Sequence, residues 1–350
     1  MSAVAISSPS DALAGALRRL ADGAPLTADD TAAAFGVVMR GEATPAQVAA
    51  LLMGLRARGE SADELAGAAR ALREAMLPVV TGLTEQLVDT CGTGGGAVGT
   101  LNVSTAAAFV VAGAGVPVAK HGNRSYTSRC GSADVLEALG VDIGAAPERA
   151  ATILAQVGLV FLFAPAYHPA MRHVGPTRKE LGVPTLMNLV GPLVNPAGVR
   201  RQVIGVADRA RAPLVAGALR RLDTAHALVV HGEIGMDEIS PCGNTAVWEV
   251  RGTEVGEWTI DPATLGLATD DPGELAGGEP PENAARIERL LACDEDRAAR
   301  AAVLLNAGAA LYVAGRGLGF ADAVRAAERA LEDGRAARVL AQLRRAAPRA

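Results

Sequence analysis

Polar clusters set in a largely apolar chain hold the residue types that phosphate and metal chemistry needs. The first, Asp89-Thr-Cys-Gly-Thr-Gly-Gly-Gly96, follows an apolar run and precedes a helical pattern that opens near Asn102-Val-Ser-Thr105. Clustered glycines let backbone N–H groups approach a ligand closely, and a helix N-terminus adds about half a positive charge, which suits a phosphate or pyrophosphate. Asn102, Ser104 and Thr105 add side-chain donors and a hydroxyl for a metal. The second cluster, Lys120-His-Gly-Asn-Arg-Ser-Tyr-Thr-Ser128, follows another apolar run. There Lys120 offers a point charge for phosphate, Asn123 an amide for an amine or hydroxyl, and Ser125, Thr127 and Ser128 further donors. The third, Asp237-Glu238, lies beyond the apolar run from Ala227. Paired carboxylates suit magnesium, a hard cation that keeps waters and shares substrate phosphates, and Ser104 with a diphosphate would complete such a site. Between these clusters Arg172, Arg178 and Lys179 make 171–180 the most basic short stretch. An arginine there is able to grip a carboxylate in two-pronged fashion.

Each cluster alone has a plainer reading. Glycines make tight turns, an Asp-Glu pair is most often a solvated turn, and a single histidine such as His121 more often serves structure. The Walker A pattern is absent, because no Gly-Lys-Ser/Thr follows the first glycine at the required spacing. The dinucleotide fingerprint is loosely met by Gly92, Gly94 and Ala97. The next strand, however, ends in Lys120-His121 instead of the acid that holds a ribose, so an NADP-type oxidoreductase stays open as an alternative.

The elements that must position these clusters fall into two groups. Leu13, Leu17 and Leu20, then Val48, Leu51, Leu52 and Leu55, then Leu65, Leu72 and Met76 recur at helical spacing. Thr27 with Asp30, Thr44 with Pro45, and Ser61 with Glu64 mark helix starts, and Pro78 closes the block. Residues 1–80 are therefore expected to form a small all-helical domain. From Leu87 short apolar runs alternate with helical ones, which predicts an α/β domain over 81–350 whose central, mostly parallel sheet is flanked by helices. Strands are expected at Leu87–Asp89, Val116–Ala119, Leu159–Phe163, Val203–Val206 and Ala227–Val230, with a hairpin of Val247–Val250 and Val255–Ile260. Helices are expected at Ser104–Gly113, Ala133–Leu139, Glu148–Val157 and Pro213–Leu222, and from Glu282 onward. Residues 166–193 have helical pieces but little sheet character, and are expected to join the helical domain in space. In a parallel sheet the loops after the strands share one edge, so the clusters converge.

The chain has 350 residues, half of them hydrophobic, and a net charge of −5. That balance and the few aromatics (5 Phe, 2 Trp, 3 Tyr) leave neither a basic track nor stacking platforms for nucleic acid. No membrane association is expected either: the uncharged stretch Cys91–Ala119 carries a glycine cluster, Asn102, Ser104 and Pro117, which reads as buried soluble core. Cys91, Cys130, Cys242 and Cys293 form no C-x-x-C pair, and Met1–Ser10 has no signal-peptide pattern, so a cytoplasmic, reducing setting is expected.

Taken in order, Gly92-Thr-Gly-Gly95, Asn102-Val-Ser-Thr105, Lys120-His-Gly-Asn-Arg124, Gly131-Ser-Ala-Asp-Val-Leu-Glu-Ala-Leu-Gly140, Asn188 with Gly191-Pro-Leu193, Asn195-Pro196, Asp237-Glu238 and Asn306-Ala-Gly308 form a specific set. The set resembles the anthranilate phosphoribosyltransferase family of tryptophan biosynthesis along nearly the whole chain. The resemblance implies a homodimer of chains with a small helical and a large α/β domain. It implies transfer of phosphoribose from 5-phosphoribosyl 1-pyrophosphate to the amine of anthranilate, with one or two Mg2+ ions and release of pyrophosphate. On the matching positions it implies donor binding by Gly92, Gly95, Gly96, Thr100, Asn102, Val103, Ser104, Thr105, Lys120, His121, Gly122, Asn123, Arg124, Ser125, Tyr126, Thr127, Ser128 and Ser132. Anthranilate would meet Gly92, Asn123 and Arg178. Ser104 and Glu238 would ligate one magnesium, Asp237 and Glu238 a second. Lys120, His121 and Arg178 would act in catalysis, His121 by assisting proton removal. The expected mechanism is electrostatic, with attack by the amine on an oxocarbenium-like C1 and no covalent nucleophile. Gly96 stands where many relatives have Asp, Pro184 where an arginine is frequent, and Cys130 where serine is common. A pyrimidine nucleoside phosphorylase and a non-catalytic nucleic-acid-binding relative are the alternatives, separable by activity with thymidine and phosphate and by a mobility shift with single-stranded DNA.

Overall fold

Local capping chemistry sets the first helices of the chain. Thr27, Thr44 and Ser61 each accept a backbone N–H three residues on, and the side chains of Asp30, Gln47 and Glu64 return the bond. Two orphan donors are thereby satisfied at each helix start. The computed structural model describes residues 9–125, 129–294 and 296–349. It opens with α1 (Pro9–Ala21), α2 (Ala28–Met39), α3 (Pro45–Arg58) and α4 (Ala62–Ala75).

Strands and helices then alternate: β1 (Val88–Gly92), α5 (Val103–Gly113), β2 (Val118–Gly122), α6 (Ser132–Ala138), α7 (Pro147–Val157) and β3 (Leu159–Phe163). After β3 come the short helices α8 (Ala164–Tyr167), α9 (Gly175–Leu181) and α10 (Met187–Val190), then β4 (Arg201–Gly205), α11 (Ala212–Arg220) and β5 (His226–Gly232). A hairpin of β6 (Thr245–Arg251) and β7 (Glu254–Ile260) is followed by α12 (Pro280–Leu291), α13 (Arg297–Val313), α14 (Phe320–Glu332) and α15 (Arg335–Ala346). The sheet order is β3-β2-β1-β4-β5-β6-β7. β1 to β5 pair in parallel, and β6 and β7 are antiparallel.

Several strand ends differ from the sequence expectation, and two of the differences bear on the site. β1 runs on to Gly92, pairing with Gly205, and β2 runs on to Gly122, pairing with Phe163. Thr90, Lys120 and His121 thus stand within strands instead of in the loops after them. An apolar run ends where polar side chains begin, but ladder hydrogen bonds continue wherever both neighbours supply partners.

Side chains alternate across a strand, so the sheet fills two cores. Val203, Leu228, Val230 and Val247 face one core, shared with α5 and α13. Ile204, Val206, Val229 and Trp248 face the other, together with Leu51, Leu65 and Leu72 of the helical bundle and Leu186, Leu189 and Leu193. Each of these fully buried leucines is worth about 1.5–3 kcal/mol. The half-buried Arg73 guanidinium, between bundle and sheet domain, donates to the Leu193 carbonyl at 2.7 Å, and desolvation lowers its pKa. Arg221 pairs with Asp63, and Arg211 with Glu60 at 3.2 Å, across the same junction.

Candidate active site

From β1 the chain winds outward through β2 to β3, then returns to the other side of β1 to lay down β4 and β5. Such a switch point leaves a crevice at the carboxyl ends of β1 and β4. Gly92 and Gly205, in register there, make room for Asp237: a Cβ on Gly205 would collide with the Asp237 carbonyl, and one on Gly92 would stand 3.0 Å from Asp237 Oδ2. Gly96 is equally confined, with Asp237 Oδ1 2.8 Å from its Cβ position. Gly94, at φ +70°, donates its N–H to Asp237 Oδ2 at 2.9 Å.

The glycine loop keeps some of its N–H groups for itself. Those of Thr93 and Ala97 go to the Gly205 and Gly235 carbonyls, whereas no acceptor among the described residues takes those of Gly95 and Gly96. Glu238 sits at the opening of α5, its Oε2 accepting the Thr100 hydroxyl at 3.0 Å and its Oε1 the Ser104 N–H at 3.2 Å. The Ser104 hydroxyl accepts from Lys120 Nζ at 3.1 Å, and Nζ also donates to the Thr90 carbonyl. Beneath Lys120, the buried Asp89 carboxylate accepts the His121 N–H at 3.2 Å and Asn195 Nδ2 at 2.8 Å. A row of polar and charged groups, Asp89, Lys120, Ser104 and Glu238, therefore runs along this edge of the sheet. Burial pushes Asp89 up and Lys120 down, while their mutual attraction opposes both shifts.

Burial, with Asp237 alongside, pushes Glu238 up to about 8. That lies above the ordinary glutamate value of 4.5, so the proton stabilises the metal-free fold. The contribution is complete below 4.5 and is lost as pH rises through about 8. Metal-free protein is expected to melt at progressively lower temperature across that window, and Glu238→Gln to flatten this part of the profile. An undiminished slope in the variant refutes the assignment.

Other expected site residues stand as follows. Asn123 accepts the Ser132 hydroxyl at 3.2 Å on its carbonyl, which ties the loop after β2 to α6. Arg124, expected at the donor, is paired with carboxylates of α6: with Glu137 at 2.6 and 3.0 Å and with Asp134 at 2.7 Å. The Val103 side chain is wholly buried in the core, and Thr105 is 1% exposed. Arg178 is half-buried in α9, which packs on α3. Tyr126, Thr127 and Ser128 lie outside the described residues.

His121 meets His168, a residue sequence reasoning gave no role, with ring centroids 5.2 Å apart. Burial pushes the two imidazoles down to about 3 and about 4, and neither Nε2 has a hydrogen-bond partner among the described residues. An imidazole that acidic holds a proton poorly, so its surroundings do not favour the expected part in proton removal. The pair offers neutral ring nitrogens instead.

Among the described residues no group of three or more His, Cys, Asp or Glu side chains is arranged to hold a metal. The two half-buried carboxylates of Asp237 and Glu238 nevertheless fit magnesium, which is content with one or two carboxylates, waters and substrate phosphate oxygens.

A family model described as the glycosyl transferase family, helical bundle domain, matches residues 14–76, and its a/b domain counterpart matches 84–337. The chain is 50% identical over 321 residues to the anthranilate phosphoribosyltransferase of Rubrobacter xylanophilus, covering 92% of this chain and 93% of that one. It is 48% identical to that of Natronomonas pharaonis, covering 95% and 99%. In three dimensions it matches the crystal structure of anthranilate phosphoribosyltransferase from Thermus thermophilus with a TM-score of 0.88 at 43% identity, covering 94% and 99%. The Saccharomyces cerevisiae enzyme in complex with PRPP and Mg matches with the same TM-score at 27% identity, covering 96% and 98%.

Proposed function

The chain belongs to the anthranilate phosphoribosyltransferase family, and from that membership we propose how its own residues carry the transfer of phosphoribose from phosphoribosyl pyrophosphate to the amine of anthranilate. The diphosphate lies over the glycine loop, where the Gly95 and Gly96 N–H groups have no acceptor among the described residues, and against the opening of α5. Thr100 and Ser104 present hydroxyls there, both residues already bonded to Glu238. Asp237 and Glu238 with Ser104 would hold magnesium, which when bound would supply positive charge against the charge on the departing pyrophosphate. Lys120 aligns the Ser104 hydroxyl from below and adds its own charge to the same region. Gly92, Asn123 and Arg178 receive anthranilate, the guanidinium pairing with its carboxylate.

The observation that carries this reading is the convergence of Thr100, Ser104, Lys120 and Glu238 at the switch point. Loss of anthranilate fluorescence on adding phosphoribosyl pyrophosphate and magnesium tests it. Arg178→Ala is expected to raise KM for anthranilate about 30-fold, the cost of some 2 kcal/mol for removing one member of a desolvated charge pair, and to leave KM for the donor unchanged. A rise in the donor KM instead would place Arg178 at the other substrate. The enzyme acts in the cytoplasm, in keeping with its four cysteines remaining as thiols, and as a homodimer, which sedimentation equilibrium tests.

A further inference from the structure

Asn306 lies in α13 among Ala302, Val303, Leu305 and Ala309, all buried, and is itself only 4% exposed. An amide is a poor choice for a helix interior packed in hydrocarbon, where alanine or leucine has better propensity and no polar atoms to satisfy. Its carboxamide is nonetheless fully engaged. Oδ1 accepts the Ile239 N–H at 3.1 Å, while Nδ2 donates to the Ile239 carbonyl at 2.9 Å and to the Ala302 carbonyl at 2.9 Å. Ile239 directly follows Glu238 and belongs to no strand. The backbone that mounts the acidic pair is therefore gripped on both its polar groups by one side chain where a ladder would otherwise do so. On the opposite side, Asp237 is anchored by the Gly94 N–H.

We propose that Asn306 is the positioning residue of the magnesium site: by holding both backbone groups of Ile239 it fixes the direction in which Glu238 and Asp237 present their carboxylates. The proposal rests on the assignment of that pair as the metal ligands. Outer partners that orient ligands typically contribute about 10- to 100-fold to metal affinity. The role differs from mere core packing, because a packing residue leaves the carboxylate directions unchanged as long as the chain is folded.

The test is manganese(II) binding to the full chain in the presence of pyrophosphate, followed by the loss of the free-ion electron paramagnetic resonance signal, which needs no turnover. Asn306→Ala and the shape-conserving Asn306→Asp are expected to weaken binding about 10- to 100-fold. Leu304→Ala, which opens a cavity on the same helix, is expected to lower the melting temperature and leave manganese affinity at the wild-type value. Wild-type affinity in Asn306→Asp, with Glu238→Gln impaired, overturns the positioning role and spares the ligand assignment. Equal weakening by Leu304→Ala also overturns it, since general loosening would then suffice. Undiminished binding by Glu238→Gln removes the ligand assignment itself, and this inference with it.

Discussion

Glu238→Gln is expected to lower kcat/KM for the phosphoribosyl donor by about 10²- to 10³-fold, the range seen when one preorganised electrostatic contact to a developing charge is removed. The substitution keeps the size of the side chain, so the Thr100 and Ser104 neighbours stay in place and the loss isolates charge. Stability should move the other way. A carboxylate pushed up to about 8 by desolvation and by Asp237 is a cost to the metal-free fold above that pH, and a neutral amide relieves it. Anthranilate fluorescence decay read beside a thermal melt at alkaline pH checks both signs. A variant within about tenfold of wild type would remove Glu238 from the metal site, since that is less than one such contact supplies.

Lys120→Met is expected to cost about 3–5 kcal/mol of stability, because the change leaves a buried carboxylate without its opposite charge. That carboxylate is Asp89, which is wholly buried and would be left with neutral partners such as the His121 N–H and the Asn195 amide. Adding Asp89→Asn should recover most of the loss, since an apolar and an amide neighbour coexist without an orphaned charge. Urea midpoints of the single and double variants measure this. Catalysis should remain low in both, because the Ser104 hydroxyl has lost the ammonium that orients it. A single variant of near wild-type stability would mean that Lys120 serves substrate phosphate alone.

How much of this was legible in the residues depended on how local the physics was. Caps such as Thr27 with Asp30 involve neighbours three positions apart, so they were readable before any fold was known. The hairpin of β6 and β7 was equally local. The glycine loop, Ser104 and the Asp237-Glu238 pair were found because a parallel sheet gathers the ends of its strands at one edge. Lys120 was found too, but as a loop cation reaching for phosphate; its place inside β2 depends on pairing with β3, which no window along the chain contains. Arg124 carries the right charge for a donor contact and spends it on Glu137 and Asp134, partners that only α6 could bring. His168, far from His121 in sequence and outside any motif, gave no signal at all. The same holds for the side-chain grip of Asn306 on Ile239, where the residue was noticed as part of a pattern but its partner was not.

The second core changes what the boundary near residue 80 means. Leu51 and Leu65 from the bundle share it with Ile204, Val229 and Trp248 from one face of the sheet, and Arg73 bridges the junction to the Leu193 carbonyl. Two modules that are distinct as stretches of sequence are thus one body as far as water is concerned. Neither can be lifted out without laying bare the apolar face of the other. A chimaera that takes its helical bundle from one relative and its sheet from another would inherit a mismatched interior, however well each half is made. Because α4 packs on α11 across this seam, a change of volume on one helix has to be matched on the other if the shared interior is to stay filled.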